Sequence, residues 1–124
     1  MWLLFLEAYF ELVRFHYHLK AGSFESLYTA VRNCPVAKAA RSGMSIDRVC
    51  SAVDRACIWY PNEVLCLQRS AASACLLRKH GIAAQLVIGV QRIPFKAHAW
   101  VEVGGSVVND KSYVPEMYAV LDRC

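Results

Sequence analysis

The sequence predicts an α+β domain in which helices form the first two-thirds of the chain and strands the last third. Three observations support this fold class. Apolar residues recur at helical spacing up to residue 80, Gly81 interrupts the pattern, and two β-like segments follow it. The chain has 124 residues, of which 56% are hydrophobic and 19% are charged. It is therefore long enough for one hydrophobic core and too apolar to be disordered.

Charge and cysteine content argue against several classes of function. The formal net charge of +4 is scattered along the chain without interleaved aromatic residues, so no nucleic-acid partner is expected. The six cysteines form no C-x-x-C pair and no Cys/His cluster with the spacing of zinc ligands, so we expect no metal and no cofactor. The first residues lack the basic start of a secretory signal, and we expect a cytoplasmic protein with reduced thiols.

The first predicted helix runs from Trp2 to about Leu19. Its polar positions recur at helical spacing and form one stripe: Glu7, Glu11, Arg14 and His18. The uncharged run is shorter than the ~20 residues that a membrane span needs, so no transmembrane helix is expected. We expect this helix to pack on the core or on a partner.

Two further helices are predicted before residue 62. One covers residues 24–31, and the basic segment 38–43, rich in small residues, is predicted to be a connector. Ser45 is a suitable N-cap for the other helix, which Pro61 ends.

A fourth helix begins at Cys66 and is capped by Gly81. Its side chains are mostly small or apolar, so we expect it to lie inside the domain, between the sheet and the other helices. The start of a helix offers free backbone N–H groups and the positive end of the dipole, which favour the thiolate form of a cysteine. Of the six thiols, Cys66 is therefore the candidate nucleophile, whereas Cys50 and Cys57 are predicted to be inert core thiols.

Two strands are predicted after Gly81, at residues 85–90 and 97–103. The second alternates in character, so that His98, Trp100 and Glu102 share one face. A histidine on a strand is more often a structural residue than a base, and a cysteine at a helix start is more often a small hydrophobic residue. Neither residue is decisive alone.

The hairpin that follows the second strand provides a geometric test. A two-residue turn at Gly104–Gly105 would put Asp110 on the wrong face of its strand. A three-residue loop that pairs Glu102 with Ser106 would instead put Asp110 directly opposite His98. A carboxylate in that position accepts an imidazole N–H and fixes the histidine tautomer. We therefore predict the three-residue loop, with Asp110 at the end of the following strand.

Four segments together resemble the leader peptidases of lasso-peptide biosynthesis, which are transglutaminase-like cysteine proteases. The segments are CLQRS at 66–70, LVIGV at 86–90, AHAWVEV at 97–103 and VND at 108–110. The resemblance covers about residues 60–121 in order and spacing.

This resemblance implies a papain/transglutaminase-like catalytic core over residues 45–124, preceded by an N-terminal helical region over residues 1–44, in one compact domain. The cysteine-bearing helix would pack on a small antiparallel sheet. The resemblance assigns the nucleophile to Cys66, the base to His98 and the orienting carboxylate to Asp110.

The same resemblance implies the substrate and the partners. In this family the peptidase removes the leader from a ribosomally made precursor peptide, and an ATP-dependent cyclase then closes the core peptide. A small recognition domain, fused or separate, captures the leader. Residues 1–44 read as helices without the hairpin that such a domain needs, so we expect a separate leader-recognition protein that docks on the exposed apolar part of residues 1–20.

Several neighbours of the three residues have expected roles. The backbone N–H of Cys66 is expected to donate to the oxyanion. The second donor is one of three side chains, among which the sequence does not choose: Trp59, Asn62 or Gln68. Trp100 either walls the site or belongs to the core. Arg69 is expected to pair with Glu102 in a structural role.

Two other functions remain open. A transglutaminase-like acyltransferase would use the same three residues and pass the acyl group to an amine instead of water. A non-catalytic peptide-binding module would keep the fold without turnover. The complete set of three residues favours an enzyme, and labelling of Cys66 by iodoacetamide ahead of the other five thiols would count further against a binding module.

Overall fold

The computed structural model describes residues 2–38 and 44–124, and within these ranges it has five helices and four strands. The predicted connector at residues 38–43 lies, apart from Lys38, outside the described residues. In chain order the elements are α1 (Trp2–Ala21), α2 (Phe24–Arg32), α3 (Ile46–Trp59), α4 (Cys66–Lys79), β1 (Ala84–Gln91), β2 (Lys96–Val103), β3 (Ser106–Val107), α5 (Val114–Met117) and β4 (Ala119–Arg123).

The helix starts follow local capping chemistry. The Ser23 side chain accepts from the Ser26 N–H at the start of α2, and the Ser45 side chain accepts from the Arg48 N–H at the start of α3. Gly81, with φ of 85°, follows α4 in the left-handed conformation that ends many helices. The predicted helices are therefore confirmed, with shifts of one or two residues at their ends.

The central element is α4, which contacts the other three long helices and also β1 and β2. Its residues from Gln68 to Arg78 are buried, apart from Arg69. Small side chains in this stretch let the neighbouring elements approach closely. The prediction that α4 lies between the sheet and the other helices is confirmed, and the domain has the predicted α+β architecture.

The sheet is antiparallel, with strand order β3-β2-β1-β4. In the β1–β2 ladder Gly89 pairs with His98 and Val87 pairs with Trp100. The sequence analysis did not predict β4, which pairs with β1 across an irregularity at Ile88/Gly89. Most of β4 is exposed, so its residues lack the alternating burial that marks a strand in a sequence.

The predicted three-residue hairpin loop was wrong. Val103 pairs with Ser106, so Gly104 and Gly105 alone form the turn. Both glycines have positive φ, 59° and 83°, as a type I′ turn requires. The third strand ends at Val107, well before the predicted end at residue 110, and the chain then bends. Alternation along β2 therefore does not determine the direction of the side chains that follow the hairpin turn.

Part of the polar stripe of α1 lies inside the protein. Glu11 is fully buried and pairs with Lys79 of α4 and with Arg14. Several large apolar side chains of the same helix are exposed instead, among them Leu3, Leu6 and Phe10. Within residues 2–38 and 44–124, no helix combines the length and the hydropathy that crossing a membrane requires.

Candidate functional site

His98 and Asp110 are in direct contact. His98 Nε2 lies 2.7 Å from Asp110 Oδ2, although the strand register differs from the one predicted. The other carboxylate oxygen, Oδ1, accepts the backbone N–H of Lys111 at 2.8 Å. Since Nε2 engages the carboxylate, Nδ1 is the ring nitrogen that remains for a thiol.

The surroundings of Asp110 favour its charged form. Partial burial opposes ionisation, but hydrogen bonds from His98 and from the Lys111 backbone, with the charges of His98 and Arg69, lower the pKa of Asp110 below its usual value. The side chain is therefore a carboxylate at neutral pH, which is the form that accepts an imidazole N–H and stabilises an imidazolium.

Two aromatic rings stack against the His98 imidazole. The His98 ring lies 5.3 Å from the Tyr118 ring and 6.0 Å from the Trp100 ring, centroid to centroid, and both pairs are stacked. Trp100 is fully buried and donates its Nε1 hydrogen to Glu102. A Cβ atom at position 89 would lie 2.6 Å from the Trp100 ring, so only glycine at this position leaves room for that ring. The Trp100 ring thus packs against the His98 imidazole.

Cys66 and His98 line one small pocket of about 140 Å³. The remaining lining residues are all apolar: Phe24, Leu67, Ile88, Ala97 and Ala99. Cys66 is the first residue of α4, and Phe24 is the first residue of α2 and is about half exposed. A residue of the N-terminal helices therefore forms one wall of the pocket, a contribution that the sequence analysis did not predict.

Backbone N–H groups lie beside the thiol. Leu65 occupies the N-cap position of α4 and makes no side-chain capping bond. The bond from the Arg69 N–H to the Leu65 carbonyl, at 3.0 Å, is the first of the helix. The N–H groups of residues 66–68 precede it, so they have no partner within the helix.

The three side chains expected as a second oxyanion donor all lie outside the lining of this pocket. Gln68 is buried, and its Nε2 donates to the Leu12 carbonyl oxygen of α1 at 2.8 Å. Trp59 is exposed and lines a separate pocket with Trp2. Asn62 is exposed in the loop before α4.

A polar network connects the segment before Asp110 to α4 and β2. Asn109 Oδ1 accepts the backbone N–H of Val101 at 2.8 Å, and Asn109 Nδ2 donates to Ser70 Oγ at 3.0 Å. Ser70 Oγ in turn donates to the Ala99 carbonyl oxygen at 3.0 Å. We call Asn109 and Ser70 the Asn109 clamp. It extends the connection to β2 beyond the last backbone bond, from the Val108 N–H to the Val101 carbonyl oxygen at 3.0 Å, and fixes the residue next to Asp110.

The prediction that Arg69 pairs with Glu102 was wrong. Arg69 donates to the Asn109 carbonyl oxygen at 3.1 Å and pairs with Asp54 of α3 at 3.0 Å. Glu102 instead accepts from the indole of Trp100 and from Arg123 of β4. Arg69 therefore supports the Asn109 clamp from the side of α4.

Sequence signals existed for only some of the residues that support the site. Ser70 is a small polar residue in an otherwise apolar buried helix, and Asn109 directly precedes the candidate carboxylate; both positions could have suggested a buried polar contact. Phe24 and Tyr118 had no such signal, because each reaches the site from a distant part of the chain. In the described part of the chain, no three His, Cys, Asp or Glu side chains group as metal ligands would.

Comparisons with known proteins agree with this arrangement. Residues 10–123 match the family model of the transglutaminase-like superfamily. The chain is 45% identical over 56 residues to the microcin J25-processing protein McjB of Escherichia coli. That alignment covers 45% of this chain and 27% of the E. coli protein, so the chain matches about a quarter of its relative's length. No solved structure matches the chain significantly.

Proposed function

Because this chain belongs to the transglutaminase-like superfamily, we propose that it is a cysteine peptidase that removes the leader from a ribosomally made lasso-peptide precursor. The observation that carries the proposal is the pocket shared by Cys66 and His98, with the imidazole hydrogen-bonded to Asp110. The similarity to a protein that processes microcin J25 supports the choice of a peptide precursor as the substrate.

The proposed mechanism gives each of the three residues a distinct role. His98 Nδ1 takes the proton of the Cys66 thiol, and the sulfur attacks the scissile carbonyl carbon. Asp110, bonded to Nε2, holds the ring and stabilises the imidazolium. The imidazolium then protonates the leaving amine, which becomes the N-terminus of the core peptide. Water, deprotonated by the same imidazole, hydrolyses the thioester and releases the leader with a free carboxylate.

The oxyanion would be held at the start of α4. We propose the Cys66 N–H as the first donor, because it has no partner within the helix. Gln68 uses its amide donor on Leu12, so Trp59 and Asn62 are the side chains that remain for the second donor. Both flank the loop that leads into α4.

Mass spectrometry of a lasso-peptide precursor tests the proposed reaction. Wild type, together with a leader-recognition partner, should release the leader and the core peptide. Cys66→Ala should release neither, whereas Cys57→Ala removes a thiol of α3 outside the pocket and should keep cleavage. Equal product from wild type and Cys66→Ala would refute the peptidase.

An added amine distinguishes the peptidase from an acyltransferase. With an excess of a primary amine, a peptidase should still release mainly leader carboxylate, whereas a transferase would release mainly the leader amide. A precursor that binds but is never cleaved, at any ratio of protein to precursor, would indicate a binding module.

We further propose that the protein acts in the cytoplasm with a separate leader-recognition protein. The core peptide that it releases would be the substrate of an ATP-dependent lasso cyclase. The exposed apolar side chains of α1 are the proposed docking surface for the recognition protein: Leu3, Leu6 and Phe10.

Leu6→Glu should lower partner-dependent cleavage about tenfold or more, because it puts a charge into an apolar contact. Leu121→Glu alters a comparably exposed leucine of β4 and is the matched control. Equal effects of the two changes would exclude α1 as the docking surface.

A further inference from the structure

A second activated cysteine lies away from the pocket of Cys66. Cys34 follows α2, and its partly buried sulfur accepts from Arg14 Nη1 at 3.8 Å and from Nη2 at 3.9 Å. Cys75, in the middle of α4, is fully buried, and Arg78 Nη1, one turn further along α4, donates to the Cys34 carbonyl oxygen at 3.3 Å, so Cys34 lies against this part of α4. Neither cysteine lines the pocket that contains His98, and the proposed mechanism uses neither.

The charges around Cys34 favour its thiolate. The hydrogen bond from Cys75, and then that of Arg14 with its charge, lower the pKa of Cys34 well below its usual range, against the opposing effects of burial and Glu11. The same bond to Cys34, together with burial, raises the pKa of Cys75, so the shared proton stays on Cys75. Since Glu11 also pairs with Lys79, a Cys34 thiolate completes a cluster of two cations and two anions.

The pKa values of the three other cysteines outside the pocket are shifted in the opposite direction. Burial raises the pKa of Cys50 to about 11 and also raises the pKa of Cys57 and of Cys124. These thiols are protonated at neutral pH, and they react slowly with oxidants because the thiolate is the nucleophilic form. Among the five cysteines outside the pocket, Cys34 is the one prepared for reaction.

We propose that Cys34 and Cys75 form a peroxide-reactive pair that closes into a disulfide. The Cys34 thiolate attacks one oxygen of hydrogen peroxide, the O–O bond breaks, and the departing hydroxide takes a proton from solvent. The sulfur of Cys75 then displaces the hydroxyl group from the resulting sulfenic acid. As the S–S bond forms and the S–O bond breaks, the Cys75 proton leaves with the hydroxyl group as water. The two sulfurs lose two electrons in total, and one peroxide becomes two waters.

The disulfide would tie the chain after α2 to the middle of α4. These two helices supply Phe24 and Cys66 to the pocket, so the oxidation would link the two elements that meet there. The inference does not depend on the proposed peptidase activity, because it rests on the contacts of Cys34 with Arg14 and with Arg78 of α4.

Peptide mapping tests the pair in the full chain carrying Cys66→Ala, which removes the competing thiol of the pocket. After peroxide treatment and alkylation of the remaining thiols, digestion should yield a Cys34–Cys75 cross-linked peptide as the main oxidised product. With Cys75→Ser added, dimedone should trap a sulfenic acid on Cys34. Mapping of the chain that retains Cys75 gives an answer even if the serine variant fails to fold.

The role of Arg14 is tested by the rate of oxidation. Arg14→Gln should slow the reaction of Cys34 with peroxide at neutral pH by about tenfold, since less thiolate is present. Arg55→Gln, at an exposed arginine of α3, is the matched control and should leave the rate unchanged. The inference is overturned if Cys34 stays reduced while another thiol oxidises, if Cys34 pairs with a different cysteine, or if both arginine variants react alike.

Discussion

At the scale of single residues, the orientation of the His98 imidazole depends on one hydrogen bond and on the residues that keep its acceptor in place. Asp110 follows the end of a very short strand, so the sheet alone does not position it. Asn109 provides the missing connection by bonding to Val101 of β2 and to Ser70 of α4. The carboxylate is therefore held, through Asn109, by contacts from two elements, β2 and α4.

Asp110→Asn should lower the rate of leader cleavage by about two to four orders of magnitude, because the amide no longer stabilises an imidazolium. It should also change the dependence of stability on pH. The lowered folded-state pKa of Asp110 means that its interactions stabilise the fold above the ordinary carboxyl pKa of about 4, and that this stabilisation is lost as the pH falls through the lowered value. Urea unfolding should show variant and wild type differing at pH 7 and converging in acid. A constant difference would contradict this account.

Asn109→Ala should lower the free energy of unfolding by about 1–3 kcal/mol, because it leaves the Val101 N–H without its acceptor. It should lower kcat and leave KM nearly unchanged, since Asn109 does not line the pocket. In a double-mutant cycle, Ser70→Ala should couple to Asn109→Ala by about 0.5 kcal/mol or more. Asn62→Ala, at an exposed asparagine, is the control for stability and should stay within about 0.5 kcal/mol. Additive effects at Ser70 and Asn109 would contradict the clamp.

At the scale of secondary-structure elements, the site lies where β1, β2, Tyr118 between α5 and β4, and the starts of α2 and α4 meet. Gly89 of β1 lies directly across from His98 and leaves space for the rings of Trp100 and Tyr118. Phe24 at the start of α2 closes the pocket beside Cys66. Each element thus contributes either to the support of the imidazole or to the wall of the pocket.

Gly89→Ala should destabilise the protein by about 1–3 kcal/mol, because the new Cβ would collide with the Trp100 ring and with Tyr118 Cβ, at 2.6 Å and 2.9 Å. Cleavage should fall as well, since both rings support His98. Denaturant unfolding and near-UV circular dichroism measure the two effects. Gly105→Asn is the control, because open space surrounds Gly105 and asparagine tolerates positive φ. A change of equal size at Gly105 would contradict the packing argument.

Phe24→Ala should widen the pocket, so that precursors with a larger apolar residue next to the cleaved bond become better substrates. A pocket of about 140 Å³ with an apolar lining suits one modest side chain, so the ratio of kcat/KM for larger over smaller residues should rise about tenfold. Precursor variants that differ at that residue measure the ratio. Phe95→Ala, at an exposed phenylalanine outside the pocket, should leave it unchanged.

At the scale of the whole molecule, a buried ionic cluster joins the N-terminal helix to the central one. Glu11 of α1 is fully buried and lies between Arg14 and Lys79, although these two cations are partly exposed. Removing the carboxylate takes away the buried anion that both cations contact, while Lys79 and Arg14 keep access to water. Docking of α1 on α4 therefore depends on a charge as well as on apolar packing.

Glu11→Ala should lower the free energy of unfolding by about 1–2 kcal/mol, because the ion pairs are lost but the two cations that remain are still partly hydrated. Glu25→Ala, at an exposed glutamate of α2, should change it by less than about 0.5 kcal/mol. Thermal and urea unfolding of both variants provide the measurement. A loss at Glu11 no larger than that at Glu25 would show that the ionic cluster adds nothing to the docking of α1.

The sequence by itself determined the first four helices, the first two strands, the α+β class and the position of Cys66 at the start of a buried helix, but not α5. These features depend on capping residues and on apolar periodicity within a few positions, so neighbouring residues suffice to predict them. The same local pattern could not choose the hairpin loop, because two glycines permit a type I′ turn as readily as a bulged one. The division of the chain at residues 44/45 and the catalytic roles of Cys66, His98 and Asp110 stay predictions.

Only the tertiary structure decided how Asp110 reaches His98, which partners Arg69 takes, and which side of α1 is buried. Each of these depends on groups that are far apart in the chain: Asn109 bonds to α4, Arg69 to α3, and Glu11 to the last turn of α4. The same holds for Phe24, Tyr118 and the Cys34–Cys75 contact. A buried polar group bonds to whichever group the fold brings next to it, and the periodicity of the sequence does not predict which group that is.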